Sequence, residues 1–221
     1  MKVLNRIPRY IWIPLISVLV MNTITYFCTR IITQRMFHFN IGTALDDKIP
    51  FVPILVVFYI LAYFQWIICF IIIALDSKKV CYEVLTGEMI AKFCCLICFV
   101  AFPTTLVRPE IDGQGIWKYL VALIYRMDAA DNLFPSIHCL ESWICFRGAF
   151  YLKKMPGWYK WIMLVFSIGV FASTVCIKQH VVVDIAGAIA VAELGLFLSR
   201  KYQLGRIFDA IEVRLYKRST L

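Results

Sequence analysis

Residues 51–75 read FVPILVVFYILAYFQWIICFIIIAL, 25 positions without one Asp, Glu, Lys or Arg. About 20 consecutive apolar residues suffice for a helix to cross the ~30 Å hydrocarbon core of a bilayer. The only other home for such a stretch is the centre of a large soluble core. A chain of 221 residues that is 62% hydrophobic and 17% charged lacks the polar surface to enclose one. The sequence is therefore that of an integral membrane protein. Its runs do not alternate with period two as barrel strands do, so the spans are α-helices, which satisfy their backbone groups internally.

Six spans are expected: 10–28, 51–75, 88–106, 137–152, 159–176 and 181–199. The fourth is short and carries Glu141 and Arg147. The first run lacks a small-residue cleavage site and reads as the first helix of the bundle rather than a leader. No repeat, low-complexity segment or linker divides the chain, which is expected to be one transmembrane domain over 1–221 ending in a basic tail, 200–221. That tail, RKYQLGRIFDAIEVRLYKRSTL, spaces basic and apolar residues almost helically. It suits an interfacial helix on the inner leaflet, and equally a simple topology anchor.

Lysines and arginines beside the span ends set orientation, because they are retained on the cytoplasmic side. One side collects Lys2, Arg6, Arg9, Lys78, Lys79, Lys153, Lys154, Lys160, Arg200, Lys201, Arg206, Arg214, Lys217 and Arg218. The other has only Arg30, Arg35, Lys48, Arg108, Lys118, Arg126 and Lys178. Both termini are expected to be cytoplasmic, which an even number of spans allows. The net charge of +9 sits in these flanks, where it meets anionic headgroups; it does not read as a nucleic-acid surface. Most of the nine cysteines lie inside apolar runs and behave as small hydrophobes, including the Cys95 and Cys98 pair.

The polar chemistry gathers on the side with fewer cations. His180 and Asp184 are four residues apart, so on a helix they share a face. The carboxylate can then fix the tautomer of the ring and leave the other nitrogen free to attack or accept a proton. Ser136 is a natural N-cap after Pro135, and it directs the first N–H groups of the fourth span outward, with His138 on the first turn. Arg108 offers a fork suited to phosphate and Lys178 a point charge. Two histidines, one oriented by a carboxylate, with cations and a helix start beside them, suit transfer of a phosphoryl group. The loop carboxylates Glu110, Asp112, Asp128 and Asp131 match no Mg²⁺ template. Elsewhere, Glu141 is expected to pair with Arg147, Glu193 to bond to a neighbouring helix, and His38 to sit at the interface without a catalytic part. Gly187 and its alanines, AGAIAVA, read as a close-packing face.

These residues resemble the membrane branch of the type 2 phosphatidic acid phosphatase (PAP2) superfamily, whose blocks are K-x6-R-P, P-S-G-H and S-R-x5-H-x3-D. The second appears as Pro135-Ser136-Ile137-His138 and the third as Ser173-Thr174, five residues, then His180-Val181-Val182-Val183-Asp184. The first keeps Arg108-Pro109, but Ala101 stands in the lysine's place and Thr174 in that of the third block's arginine. The resemblance implies a six-helix bundle and a metal-independent lipid phosphatase with no cofactor. His180 would be the nucleophile that becomes phosphohistidine, Asp184 its orienting partner and His138 the acid. Arg108, Lys178, Ser173 and the backbone at Ser136 would hold the phosphoryl oxygens. The implied partner is a membrane lipid such as phosphatidate, phosphatidylglycerol phosphate or a polyprenyl diphosphate, met at the extracytoplasmic face of a membrane expected to be bacterial. Two alternatives stay open: transfer of a phospho-headgroup between lipids, as in sphingomyelin-type and inositol-phosphoceramide-type synthases, and a non-catalytic lipid-binding or transport protein.

Overall fold

The computed structural model describes residues 7–217. Lys2, Arg6 and Arg218, which enter the charge asymmetry, and the tail residues 218–221 lie outside the described residues. The fold is an all-α bundle. Among the described residues five helical stretches are long and apolar enough to cross a membrane: Arg9–Thr33, Pro53–Asp76, Lys78–Ala101, Tyr159–Cys176 and Val182–Lys201.

The first stretch is composite. It runs through α1 (Trp12–Thr23), a π-helical turn over Ile24–Cys28, and α2 (Thr29–Thr33). A short α3 (Ala44–Lys48) follows in the loop, closed by a capping box between Thr43 and Asp46. Helix α4 (Val56–Asp76) and α5 (Lys78–Ala101) are divided only by Ser77, whose side chain accepts the Val80 N–H and so restarts the helix. That cap moves the third span to begin at Lys78 rather than at residue 88 as expected. It ends before Pro103, which cannot donate to an α-helical ladder.

Two helices depart further from the sequence pattern. Helix α6 (Ile116–Met127) is an amphipathic element in what the sequence presents only as a polar loop. Helix α7 (Ile137–Ala149) has 13 residues, about 20 Å at 1.5 Å per residue, which is short of the bilayer core. Ten of its residues are buried, among them Glu141 and Ser142, so its polar groups face protein and not lipid. Helices α8 (Tyr159–Cys176), α9 (Val182–Lys201) and α10 (Arg206–Lys217) complete the chain.

The tightest seam is between α5 and α9. A Cβ on Gly195 would lie 2.2 Å from the Gly87 carbonyl, so the two backbones approach as only glycine permits. Ala188 and Ala192 are fully buried on the same face of α9. Gly187 does something else: a Cβ there would meet the Phe134 ring at 2.4 Å, so this glycine makes room for the loop that leads into α7.

Buried charge ties the helices inside the bundle. Lys92 of α5 pairs with Glu141 of α7 at 2.6 Å, both almost fully buried, and it also donates to Asn22 of α1. Arg147 pairs with Glu193 of α9 at 2.6 Å, and Trp143 donates to the same carboxylate. The expected Glu141–Arg147 pair is thus replaced by two pairs across helices. Residues six apart on one helix face different ways, and each finds the neighbour it points at.

Candidate active site

Four turns converge at the end of the bundle where α7 and α9 begin and α5 and α8 finish. A two-residue parallel ladder pairs Phe39 with Thr104 and Asn40 with Thr105, fastening the first loop to the end of α5. The Thr104 hydroxyl then accepts the N–H groups of Leu133 (3.0 Å) and Phe134 (2.8 Å), which fixes the entry into α7. At the cap itself Ser136 Oγ accepts the Cys139 N–H at 3.4 Å, and the Ser136 N–H donates to the Asp184 carbonyl at 3.2 Å. The starts of α7 and α9 are therefore joined backbone to backbone beside the two histidines.

His180 and Asp184 meet, but not on a shared helix face as the spacing suggests: His180 lies in the turn before α9, and Asp184 on the first turn of that helix reaches back to it. His180 Nδ1 is 3.0 Å from Asp184 Oδ2, and the same oxygen accepts the Val181 N–H at 3.1 Å. Asp184 is fully buried and His180 is 8% exposed. A carboxylate held at Nδ1 leaves Nε2 as the available nitrogen. Among the described residues Nε2 has no hydrogen-bond partner. The ring of His138 faces this group, 6.2 Å away between centroids.

His138 is held by aromatic rings. Tyr59 stacks on it at 4.0 Å, Trp66 lies 5.1 Å away, and Tyr63 Oη is 3.1 Å from Nε2. Behind the stack, Tyr59 donates to Asp128 Oδ2 at 2.6 Å and Tyr26, from the π turn, to Oδ1 at 2.8 Å. Burial works to raise the Asp128 carboxyl, but the His138 ring, the two tyrosine hydroxyls and His180 outweigh it and hold it below its usual range.

Arg108, Lys178 and His180 line one cleft of about 630 Å³, with Asp46 and the 40–47 loop on its far wall. Arg108 donates to the carbonyls of Asp128 (2.7 Å) and Tyr125 (3.3 Å) and to Gln179 Oε1, and lies over the Tyr125 ring. Its Nε is buried without a partner, and so is Gln179 Nε2, leaving two donors beside the cleft unspent.

With that geometry in view, the family follows from the sequence. A model described as the PAP2 superfamily matches residues 31–198. The chain belongs to the PAP2 superfamily. No curated protein and no solved structure matches it. Superfamily membership accords with lipid-phosphate chemistry, hydrolase or phosphotransferase, in general, and with a multi-pass membrane protein.

Several residues named for the PAP2 site have protein partners. Lys178, at φ 54°, donates to the carbonyls of Asp46 (2.8 Å) and Ile49 (2.7 Å). Ser173 is buried, with its hydroxyl on the Leu55 carbonyl at 2.6 Å. In the place of the third block's arginine, Thr174 is buried and donates to the Phe171 carbonyl, while Ala101 is exposed at the end of α5. The loop carboxylates do not converge: Asp131 pairs with Arg30 at 2.9 Å and Asp128 is taken by the two tyrosines. Among the described residues no three of His, Cys, Asp and Glu gather as a metal site. His38 Nδ1 lies 3.0 Å from the Met36 carbonyl, its one hydrogen bond among the described residues.

Sequence reasoning passed over Tyr26, Tyr59, Tyr63 and Gln179. One signal was available. Tyr59 and Tyr63 lie four apart inside an apolar span, and a phenol there needs a polar partner. Nothing in the sequence says that the partner is His138 for one and Asp128 for the other.

Proposed function

We propose that the chain hydrolyses a lipid phosphate or polyprenyl diphosphate without a metal, through a phosphohistidine on His180, at the extracytoplasmic membrane face. The observation that carries it is the carboxylate-oriented His180, which lines the cleft that holds Arg108, with Nε2 free and the His138 ring 6.2 Å away.

The steps balance with these groups. His180 Nε2 gives its lone pair to phosphorus, the P–O bond to the lipid breaks, and His138 supplies the proton that the leaving oxygen takes. Asp184 compensates the positive ring that results. Water then attacks phosphorus, passes its proton to His138, and the P–N bond breaks to free phosphate and His180. In the resting site Tyr63 occupies His138 Nε2, the place a leaving oxygen would take. Arg108, through its unspent Nε–H, and the Ile137 and His138 N–H groups at the start of α7 would receive the phosphoryl oxygens. Lys178 and Ser173 would join only by exchanging the carbonyls they now hold; Ser136 contributes by capping that start. In this reading α7 is a short sixth span, both termini are cytoplasmic, the membrane is a bacterial plasma membrane, and the substrate's tails stay in the bilayer.

The replacement of two cations by Ala101 and Thr174 favours one second reading, headgroup transfer to a lipid alcohol. The test is phosphate release in lipid-containing micelles with EDTA, from phosphatidate, phosphatidylglycerol phosphate and undecaprenyl diphosphate, with His180→Ala as control. Release from at least one lipid, lost in the variant, is expected. Silence with all three, but a transferred headgroup when an alcohol-bearing lipid is added, would put the second reading first.

A further inference from the structure

A cavity of about 1040 Å³ lies at the other end of the bundle, between the start of α5, the ends of α7 and α9, and α10. We infer that it binds the phosphate-bearing headgroup of an anionic glycerolipid. The His180 cleft takes no part in this site.

Charge is the first support. Six cations line the cleft against three carboxylates, Glu83, Glu193 and Asp209. The carboxylates are largely used. Asp209 and Glu212 hold Lys78, both at 2.7 Å, and Glu193 holds Arg147. Glu83 is shared loosely at 3.8 Å between Lys79 and Arg200. Among the described residues Lys201 and Arg206 have no carboxylate at all. The docking of α10 does not account for this excess, since it uses Lys78, Tyr82 and the buried Phe208.

Geometry is the second. Arg200 is laid flat on the Tyr151 ring at 4.4 Å, a placement that fixes its planar fork while leaving the side chain 49% exposed. Lys201 lies near the Phe197 and Tyr202 rings. The cations thus come from separate helices, are partly positioned beforehand, and surround a space large enough for a headgroup.

The third support separates a lipid from a soluble phosphate. Phe197 lines the cleft, belongs to a span, and is 55% exposed, so the mouth opens onto the face that meets acyl chains. Phe197 is the apolar part of the rim, and Leu204, before α10, and Ile207, on it, are exposed as well, 42% and 59%. A bound lipid would set its phosphate among Arg200, Lys201 and Arg206 and lay its tails along this rim.

The test uses the full chain purified in mild detergent, incubated with equal phosphatidylglycerol and phosphatidylcholine, and analysed by native mass spectrometry for retained lipid. The wild type is expected to keep one phosphatidylglycerol in preference to phosphatidylcholine. Arg200→Gln/Arg206→Gln should lose that preference by about tenfold or more, and Arg200→Lys/Arg206→Lys should recover most of it. His180→Ala should retain the lipid as the wild type does. Equal retention of the two lipids, or an unchanged Gln variant of wild-type helix content, would overturn the inference. So would loss of the lipid in His180→Ala, which would put it in the histidine cleft. Displacement by glycerol 3-phosphate or inorganic phosphate at the lipid's own concentration would make the ligand a soluble phosphate.

Discussion

The two histidines of the site are held in opposite ways. His180 opens toward a cleft and is steered by a carboxylate in contact with its Nδ1. His138 is pressed among Tyr59, Tyr63 and Trp66, and the carboxylate behind it, Asp128, is hydrogen-bonded by Tyr59 and not by the ring. A ring with an anion at one nitrogen is stabilised when the other nitrogen becomes positive, as it must on bonding phosphorus. A ring sandwiched by aromatics is fixed in place without being committed to charge, which suits a group that gives and takes one proton. The difference in surroundings thus matches a difference in role.

Removing the proposed nucleophile should have the largest effect. His180→Ala is expected to lower lipid phosphate release by roughly 10³-fold or more with helix content unchanged, because no neighbour replaces the lone pair. Retained turnover would remove the proposed role of that side. Asp184→Asn should cost about 10²- to 10⁴-fold in kcat, since the amide holds the ring but favours the wrong tautomer. A fall confined to KM would mean that Asp184 only shapes the cleft.

The other side can be probed beneath the ring. Lys92 supports α7 one turn below His138 through Glu141. Lys92→Met should destabilise the fold by about 3–5 kcal/mol by leaving a buried carboxylate unpaired, and Lys92→Met/Glu141→Leu should regain most of it. Thermal unfolding in detergent reads both. If the single variant is as stable as the wild type, α7 owes its position to packing alone. Tyr63→Phe is milder: about a tenfold change in kcat/KM or less, with a shifted pH profile because His138 loses a partner that no aromatic contact replaces. An unchanged profile would leave the aromatic wall as its only role.

Acidification gives the smallest effect. Burial works to raise Asp46, but bonds from the Val182 and Thr43 N–H groups and the Thr43 hydroxyl, with Lys178 nearby, outweigh it and hold it below 3.8. Asp128 is likewise lowered. A depressed folded value means that the stability these groups contribute is complete above about pH 4 and is lost as pH falls through it. The 40–47 loop and the α9 start should therefore loosen only below about pH 4, as a rise in amide hydrogen exchange at Val182. Asp46→Asn should show that rise at pH 7.

The spans were legible because lipid imposes one requirement on every residue of a stretch, so length and composition alone reveal it. The His180–Asp184 pair was legible because residues four apart stay within reach of each other, although the contact is made from the first turn of α9 back to the turn before it. Boundaries were less so. Ser77 restarts α5 ten residues before the hydrophobic run suggests, since one hydroxyl on one N–H outweighs the polarity of Lys78 and Lys79. The expected fourth span, 137–152, is the still shorter α7, because a helix buried in protein need not match the bilayer.

By itself the sequence determined the membrane class, the helical architecture, the superfamily blocks and the closeness of His180 to Asp184, all properties of neighbours along the chain. Tertiary structure alone decided that Glu141 meets Lys92, that Tyr59 and Tyr63 wall in His138, and that Lys178 and Ser173 hold backbone carbonyls. Those partners come from segments up to 132 positions away, and a side chain's choice among several distant partners depends on which way its helix is turned.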